Sequence, residues 1–271
     1  MAKTPMSAQR VRPRADSSDT DAFEVPAAVL CTICGQSDCS GCTPADETAS
    51  GVMAIVPWER PGGTAWSRLW GTALATTQGA DAFFAALPDG ALPPAVRFAI
   101  VAEMLAVGSM VAMLLPLAAL ALPHLALQVI ADPEMRVRAI EWFVIGVPAL
   151  ALWMVVAHAS HGAALDAGAR KQGARPQRRR ALRFGLYACG WDLMTGPLGG
   201  IWMLGSRGAK AAAEVLALSM RVPGRASDAL LKGVYGLPED AAARARRTGT
   251  VVAVVSAIVS AFGLLVAIAL A

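Results

Sequence analysis

Phe98–Leu122 reads FAIVAEMLAVGSMVAMLLPLAALAL, and no other stretch restricts the fold of this chain as tightly. A helix rises ~1.5 Å per residue and a bilayer hydrocarbon core is ~30 Å thick, so ~20 apolar residues are enough to cross it. In lipid every backbone N–H and C=O must be satisfied within the protein, which makes helix the element for such a run. Ile140–Ser160 (IEWFVIGVPALALWMVVAHAS) and Thr250–Leu270 (TVVAVVSAIVSAFGLLVAIAL) meet the same requirement, the latter without a single charge. Pro116 predicts a kink in the first run, and Trp142 sets an amphipathic ring at the edge of the second. The expected fold class is all-α: a polytopic helical membrane protein with a small N-terminal metal-clipped segment. Composition agrees, since 55% of the 271 residues are hydrophobic and only 16% are charged, too apolar a balance for an ordinary soluble domain.

Residues 182–204, LRFGLYACGWDLMTGPLGGIWML, are apolar at both ends but interrupted by Gly190, Asp192, Gly196, Pro197, Gly199 and Gly200. Helix breakers at that density predict a discontinuous or re-entrant element. Basic residues support the same conclusion, because loops rich in Lys and Arg stay on the cytoplasmic side. The loop His161–Arg183 carries Arg170, Lys171, Arg175, Arg178, Arg179, Arg180 and Arg183 against Asp166 alone. Gly205–Thr248 is also mainly basic, so both loops lie inside only if residues 182–204 return to the side they enter, alone or paired with the alanine-rich stretch after Lys210. The short Pro123–Ala139 connection is charge-balanced, as suits the exterior. The N-terminus is therefore expected in the cytoplasm and the C-terminus outside, after an odd number of crossings. Arginine dominates the basic residues and alanine is abundant, the usage of a GC-rich bacterial genome, so the expected location is a bacterial cytoplasmic (inner) membrane. The arginines fall mostly in these loops, and no nucleic-acid role is expected.

Ahead of the transmembrane domain, 98–271, the chain divides into a tail over 1–28, a four-cysteine head and linker over 29–60, and an amphipathic helix over 64–90. The tail has no unbroken apolar core, so no cleaved export signal is expected. In 64–90, Trp66, Leu69, Trp70 and Leu74 recur at helical spacing and Phe83 and Phe84 follow, which predicts a helix lying along the interface. Within 209–247, Ala209–Met220 and Ser227–Tyr235 read as short amphipathic surface helices, and Pro238, Glu239 and Asp240 open another.

Cys31, Cys34, Cys39 and Cys42 form C-x2-C-x4-C-x2-C, which accounts for four of the five cysteines. In a reducing cytoplasm such spacing reads as metal ligation rather than disulfides. Two facing CxxC hooks supply the four soft donors that tetrahedral zinc takes, so a structural zinc is expected, although iron and iron–sulfur centres use the same donors. With every position occupied by thiolate, the site would be structural and would supply most of the folding free energy of a head this poor in core-forming residues. Cys189 reads as a small buried packing residue.

Glu103 and Asp192 are acids at membrane depth, and each costs roughly 2.5–3.5 kcal/mol near a helix centre. Glu103 lies near the start of its run, where it is expected to reach the headgroups beside Arg97. Asp192 sits amid GWDLMTGPLGG, where broken backbone and a carboxylate could line a polar cavity, although a capping role is the simpler reading. His158, His161 and Asp166 form an H-x2-H-x4-D run whose histidines share a helix face, a weak metal signal without a third ligand. No G-x-S-x-G, Walker or H-E-x-x-H motif is present.

VPWER at Val56–Arg60, WSRLWGTALATT followed by ADAFFAALPDG, and the runs that begin at PPAVRFAI together resemble bacterial Yip-type domain proteins. The resemblance spans about Pro57–Ala271 in layout. It implies an all-helical fold, usually with five crossings, a cytoplasmic N-terminus and an external C-terminus. The Asp-Leu-Tyr-Gly-Pro type motif of the eukaryotic relatives is missing, so it implies no GTPase binding and no catalytic residue.

These observations lead to the expectation of a non-enzymatic membrane scaffold or adaptor whose zinc-stabilised head recruits a protein partner, with its basic loops on anionic lipid. The alternative is a transporter or channel component with a polar pathway around Asp192; an intramembrane enzyme ranks third. Gly108, Ser109 and Ala112 permit the close helix contact of a homo-oligomer.

Overall fold

The computed structural model describes residues 56–219 and 221–270, the side chains of 218–219, 261 and 264–270 left aside, and every regular element among them is helical. All of them lie in one unit, Met53–Ala271. The four-cysteine head and the N-terminal tail fall outside the described residues. A single 3-10 turn at Pro57–Glu59 leads into α1 (Ala65–Thr77) and α2 (Ala80–Ala85). The long α3 (Leu92–Ala121), short α4 (Pro123–Ala131) and α5 (Pro133–Lys171) follow. Then come α6 (Arg178–Thr195), α7 (Pro197–Arg207), α8 (Ala209–Ser219), α9 (Val222–Gly233) and α10 (Glu239–Leu270).

The interruption expected in 182–204 is a helix break at Gly196. Its N–H still bonds to the Asp192 carbonyl at 2.9 Å, and Pro197 then opens α7 at a position where its missing N–H costs nothing. Helix α6 is the central helix of the unit: Phe184, Tyr187, Ala188, Cys189, Leu193 and Met194 are all fully buried. Glycines permit this. A Cβ at Gly185 would lie 2.2 Å from the His158 carbonyl oxygen, and one at Gly162 would lie 2.1 Å from that of Ala181. The backbones of α5 and α6 therefore cross in contact.

Paired contacts give the helix directions. Gly162 meets Ala181 and Gly185 meets His158, so α5 and α6 run antiparallel. Gly168 meets Ala245, His161 bonds Gly249 and Trp153 bonds Ser260, so α10 also runs antiparallel to α5. Arg183 bonds the Ala91 carbonyl and Phe98 packs on Tyr187, which makes α3 parallel to α6. Beyond the C-terminal end of α6, three helices continue together: Val111 and Leu115 of α3, Trp142, Phe143 and Leu150 of α5, and Val259 of α10 line one apolar cavity of about 600 Å³.

The two ends of the unit differ in kind. Around α6 lies a dense aromatic core, with Phe84 and Phe184 ring centres 4.6 Å apart and Trp70 stacked on Trp202 at 4.6 Å. At the other end large apolar side chains face outward, Leu120 at 80% and Ile145 at 67% exposure among them. Exposed apolar surface on this scale is the mark of a lipid or protein interface. Two helices, Leu92–Ala121 and Pro133–Lys171, are long and apolar enough to cross a membrane. Helix α3 is continuous through Pro116 and α5 through Pro148.

Three sequence expectations change here. The interfacial helix over 64–90 is two helices, and α1 turns Leu69, Trp70 and Ala73 into the core against α6, leaving Trp66 outward. The surface helices of 209–247 also contribute to the core: α9 buries Val222, Ala226, Leu230 and Leu231. The helix opened by Glu239 does not stop at its basic residues but runs on as α10 through the apolar segment. The first two share a reason. The apolar stripes of α1 and α9 find partners in α6 and α2, and burial against protein removes them from water as effectively as lipid does.

VPWER is a structural clip. The Trp58 indole N–H donates to the Pro94 carbonyl at 2.9 Å, and the Glu59 carboxylate receives Arg183 at 2.9 Å together with the Tyr187 hydroxyl. Arg183 is 1% exposed, so this pair and the Ala91 carbonyl keep a cation from being buried alone.

Candidate functional site

Both acids that the sequence places at membrane depth arrive at one point. Glu103 projects from α3 into the core with no exposed surface, and neither carboxylate oxygen makes a hydrogen bond. It does not reach toward headgroups beside Arg97 as expected: Arg97 is exposed and Glu103 faces the interior. The orientation follows from the stripe it shares with Ala95, Ala99, Ala102 and Ala106, small residues that let α3 lie against α6.

Facing Glu103 from α5 is His158. Its Nε2 lies 2.9 Å from Asp192 Oδ2 and 3.6 Å from Glu103 Oε1. Asp192 belongs to the last turn of α6, one turn beyond the fully buried Cys189, and residues three apart share a helix face. The ligand atoms of Glu103, His158 and Cys189 all lie within 4.8 Å of one another. Cys189 is buried in the core as expected, and its position also puts a thiol beside a carboxylate and an imidazole, with its Sγ 3.9 Å from the Gly185 carbonyl oxygen.

Two cavities meet at this cluster. One, of about 400 Å³, runs along α3 from Glu103 past Val107 and Met110 to Leu114. The other, of about 250 Å³, reaches His158, His161 and Pro223. Met154, Asp192 and Thr195 belong to the walls of both. Asp192, one-third exposed, is thus the ionisable group common to the walls of both spaces. The break after Thr195 ends α6 at this level, and Gly196 lines the larger of the two spaces.

The H-x2-H-x4-D run does not assemble as a metal site. His161 turns to α10, where its Nδ1 donates to the Gly249 carbonyl at 3.0 Å. Asp166 accepts from the Gln177 N–H at 2.8 Å and the Tyr235 hydroxyl at 2.8 Å, and pairs with Arg170 at 3.1 Å. Burial, together with that bond to Asp166, pushes the Tyr235 phenol above its ordinary range. These contacts staple the α5–α6 turn to the end of α9. Cys31, Cys34, Cys39 and Cys42 lie outside the described residues.

Sequence reading singled out His158 but paired it with His161, its neighbour on the helix. No local signal tied it to Glu103 or Asp192. The two acids Glu103 and Asp192 in apolar segments, and the i, i+3 spacing of Cys189 and Asp192, were the traces of the cluster in the sequence.

No protein-family model, curated protein or solved structure matches this chain.

Proposed function

We propose that this chain is a non-enzymatic integral membrane protein that passes a small cation along a polar path through the Glu103–His158–Asp192 cluster. One observation carries the reading: Asp192 is shared by two cavities, with His158 2.9 Å away and the buried Glu103, which has no hydrogen bond, 3.6 Å from the same imidazole nitrogen. A carboxylate, an imidazole and a second carboxylate in sequence are the groups that relay cations or protons at membrane depth. Ile140–Ala157, at ~1.5 Å per residue, measures ~27 Å, close to the hydrocarbon thickness. We take α3, α5 and α10 as three crossings of a bacterial cytoplasmic membrane, and we keep the orientation derived from the basic loops and implied by the Yip-type resemblance. The basic turns at Arg178–Arg180 and Arg244–Arg247 then face the cytoplasm. The adaptor reading rests on the zinc-stabilised cysteine head, outside the described residues; the transport reading rests on Glu103, His158 and Asp192, which are among them, and it is preferred.

The test is flux in proteoliposomes, followed with a pH dye and a zinc indicator. Asp192→Asn should lower flux at least tenfold while leaving the gel-filtration profile unchanged. Equal flux in wild type and variant would remove the pathway; loss of a captured partner on deleting residues 1–60, with no flux in either protein, would restore the adaptor.

A further inference from the structure

We infer that Glu103, His158 and Cys189 form a site for a divalent transition metal of the zinc class, with Asp192 as the ligand that receives and releases the ion. The inference names the substrate class of the cluster described above and rests on its reading as a cation site.

The donor set comes first. Carboxylate O, imidazole N and thiol S converge from α3, α5 and α6, with their ligand atoms within 4.8 Å of one another. A tetrahedral site with bonds of ~2.0–2.3 Å has edges of ~3.3–3.8 Å, and His158 Nε2 stands 3.6 Å from Glu103 Oε1. Little movement is needed to close such a site around an ion. Sulfur and imidazole select against the hard cations Mg²⁺ and Ca²⁺ and suit zinc and its neighbours.

Glu103 supplies an independent second observation. Its side chain is 1% exposed and aimed into the cluster, yet neither oxygen has a hydrogen bond. Buried polar groups are almost always satisfied, and one that is not calls for an explanation such as an ion. Charge gives the third argument. A divalent ion cancels the two negative charges of the Glu103 carboxylate and the Cys189 thiolate while the imidazole stays neutral, so the three buried ligands and the ion carry no net charge between them, and the fourth group, Asp192, is one-third exposed. On loading, the Cys189 S–H bond is replaced by a sulfur–metal bond and its proton leaves to water; the single ring proton of neutral His158, on Nε2 where it faces Asp192, moves to Nδ1 by exchange with water, and the freed Nε2 lone pair binds the ion. Asp192, 2.9 Å from the same Nε2 and on the wall of both cavities, is placed to hand the ion in or out.

The experiment uses the full-length chain with Cys31, Cys34, Cys39 and Cys42 replaced by Ser, so that Cys189 is the only thiol. Co²⁺ titration should reveal one site per chain, with visible d–d bands and a near-ultraviolet thiolate-to-cobalt band, both bleached by added Zn²⁺. The nearly isosteric Cys189→Ser should abolish the near-ultraviolet band and keep a weaker site, and Glu103→Gln or His158→Ala should weaken Co²⁺ binding at least tenfold. A folded protein without the thiolate band, or a band that survives Cys189→Ser, overturns the inference. The same preparations in proteoliposomes separate it from the transport reading. A Co²⁺ site without flux leaves the metal site standing and removes transport; proton flux lost in Asp192→Asn, without a Co²⁺ site, keeps transport and removes the metal.

Discussion

Asp166 shows what a buried acid does when it is given partners. Two hydrogen bonds and an ion pair with Arg170 surround it, whereas Glu103, equally buried, has no hydrogen bond. The contrast separates an acid with a full set of hydrogen-bond partners from one with none. It also fixes a pH effect, because Tyr235 donates to Asp166 and its phenol is held above the ordinary value first by burial and then by that bond. The sign follows from proton counts. Above about pH 10, the ordinary phenol value, the unfolded chain loses this proton while the folded chain keeps it, so the contribution is complete below that pH and is lost as pH rises beyond it. Tyr235→Phe should cost about 1 kcal/mol at neutral pH, the net worth of a hydrogen bond. It should also reduce the alkaline fall in stability, measured by thermal unfolding in detergent between pH 7 and 11.

At the scale of elements, the crossing of α5 and α6 decides whether the cluster exists. His158 reaches Asp192 because its own carbonyl rests on Gly185, with space for no side chain between them. Gly185→Ala should therefore lower stability by about 1–3 kcal/mol through forced separation of the two backbones. In α7, a Cβ at Gly200 would meet nothing within 4 Å, so Gly200→Ala is the control and should be neutral or up to ~1 kcal/mol stabilising, as an alanine in a helix is. Melting followed by tryptophan fluorescence distinguishes the two; equal melting points would show that the helices can part freely. The break at Gly196 was legible because glycine and proline act on the backbone where they stand. The burial of α6 was not: a glycine-rich helix reads as weak until the partners that approach it are known.

For the whole molecule, the antiparallel order of α3, α5 and α10, with α6 to α9 gathered at one end, gives opposite sides to the two termini of the membrane region if all three helices cross. Reporter fusions test this directly. A fusion after Ala226 should report the cytoplasm and one after Ala271 the exterior; an external signal at Ala226 would overturn the three-crossing arrangement. That arrangement explains why amphipathic stretches at 64–90 and 209–247 looked like interfacial helices. Their periodicity reports a face to be covered and cannot say whether lipid or α6 covers it.

The sequence by itself determined the helical class, the long apolar runs, the interruption after Thr195 and the presence of two acids within apolar segments. Each of these depends on residues that are neighbours in the chain, through hydrophobic periodicity, backbone restriction or charge. Only the tertiary structure decided that Glu103, His158, Cys189 and Asp192 share one site and that His161 and Asp166 do not belong to it. The physical reason is that a helix sets the direction of a side chain, but the partner it meets depends on where another helix crosses, and here contacts between glycine and carbonyl far apart in the chain set that crossing.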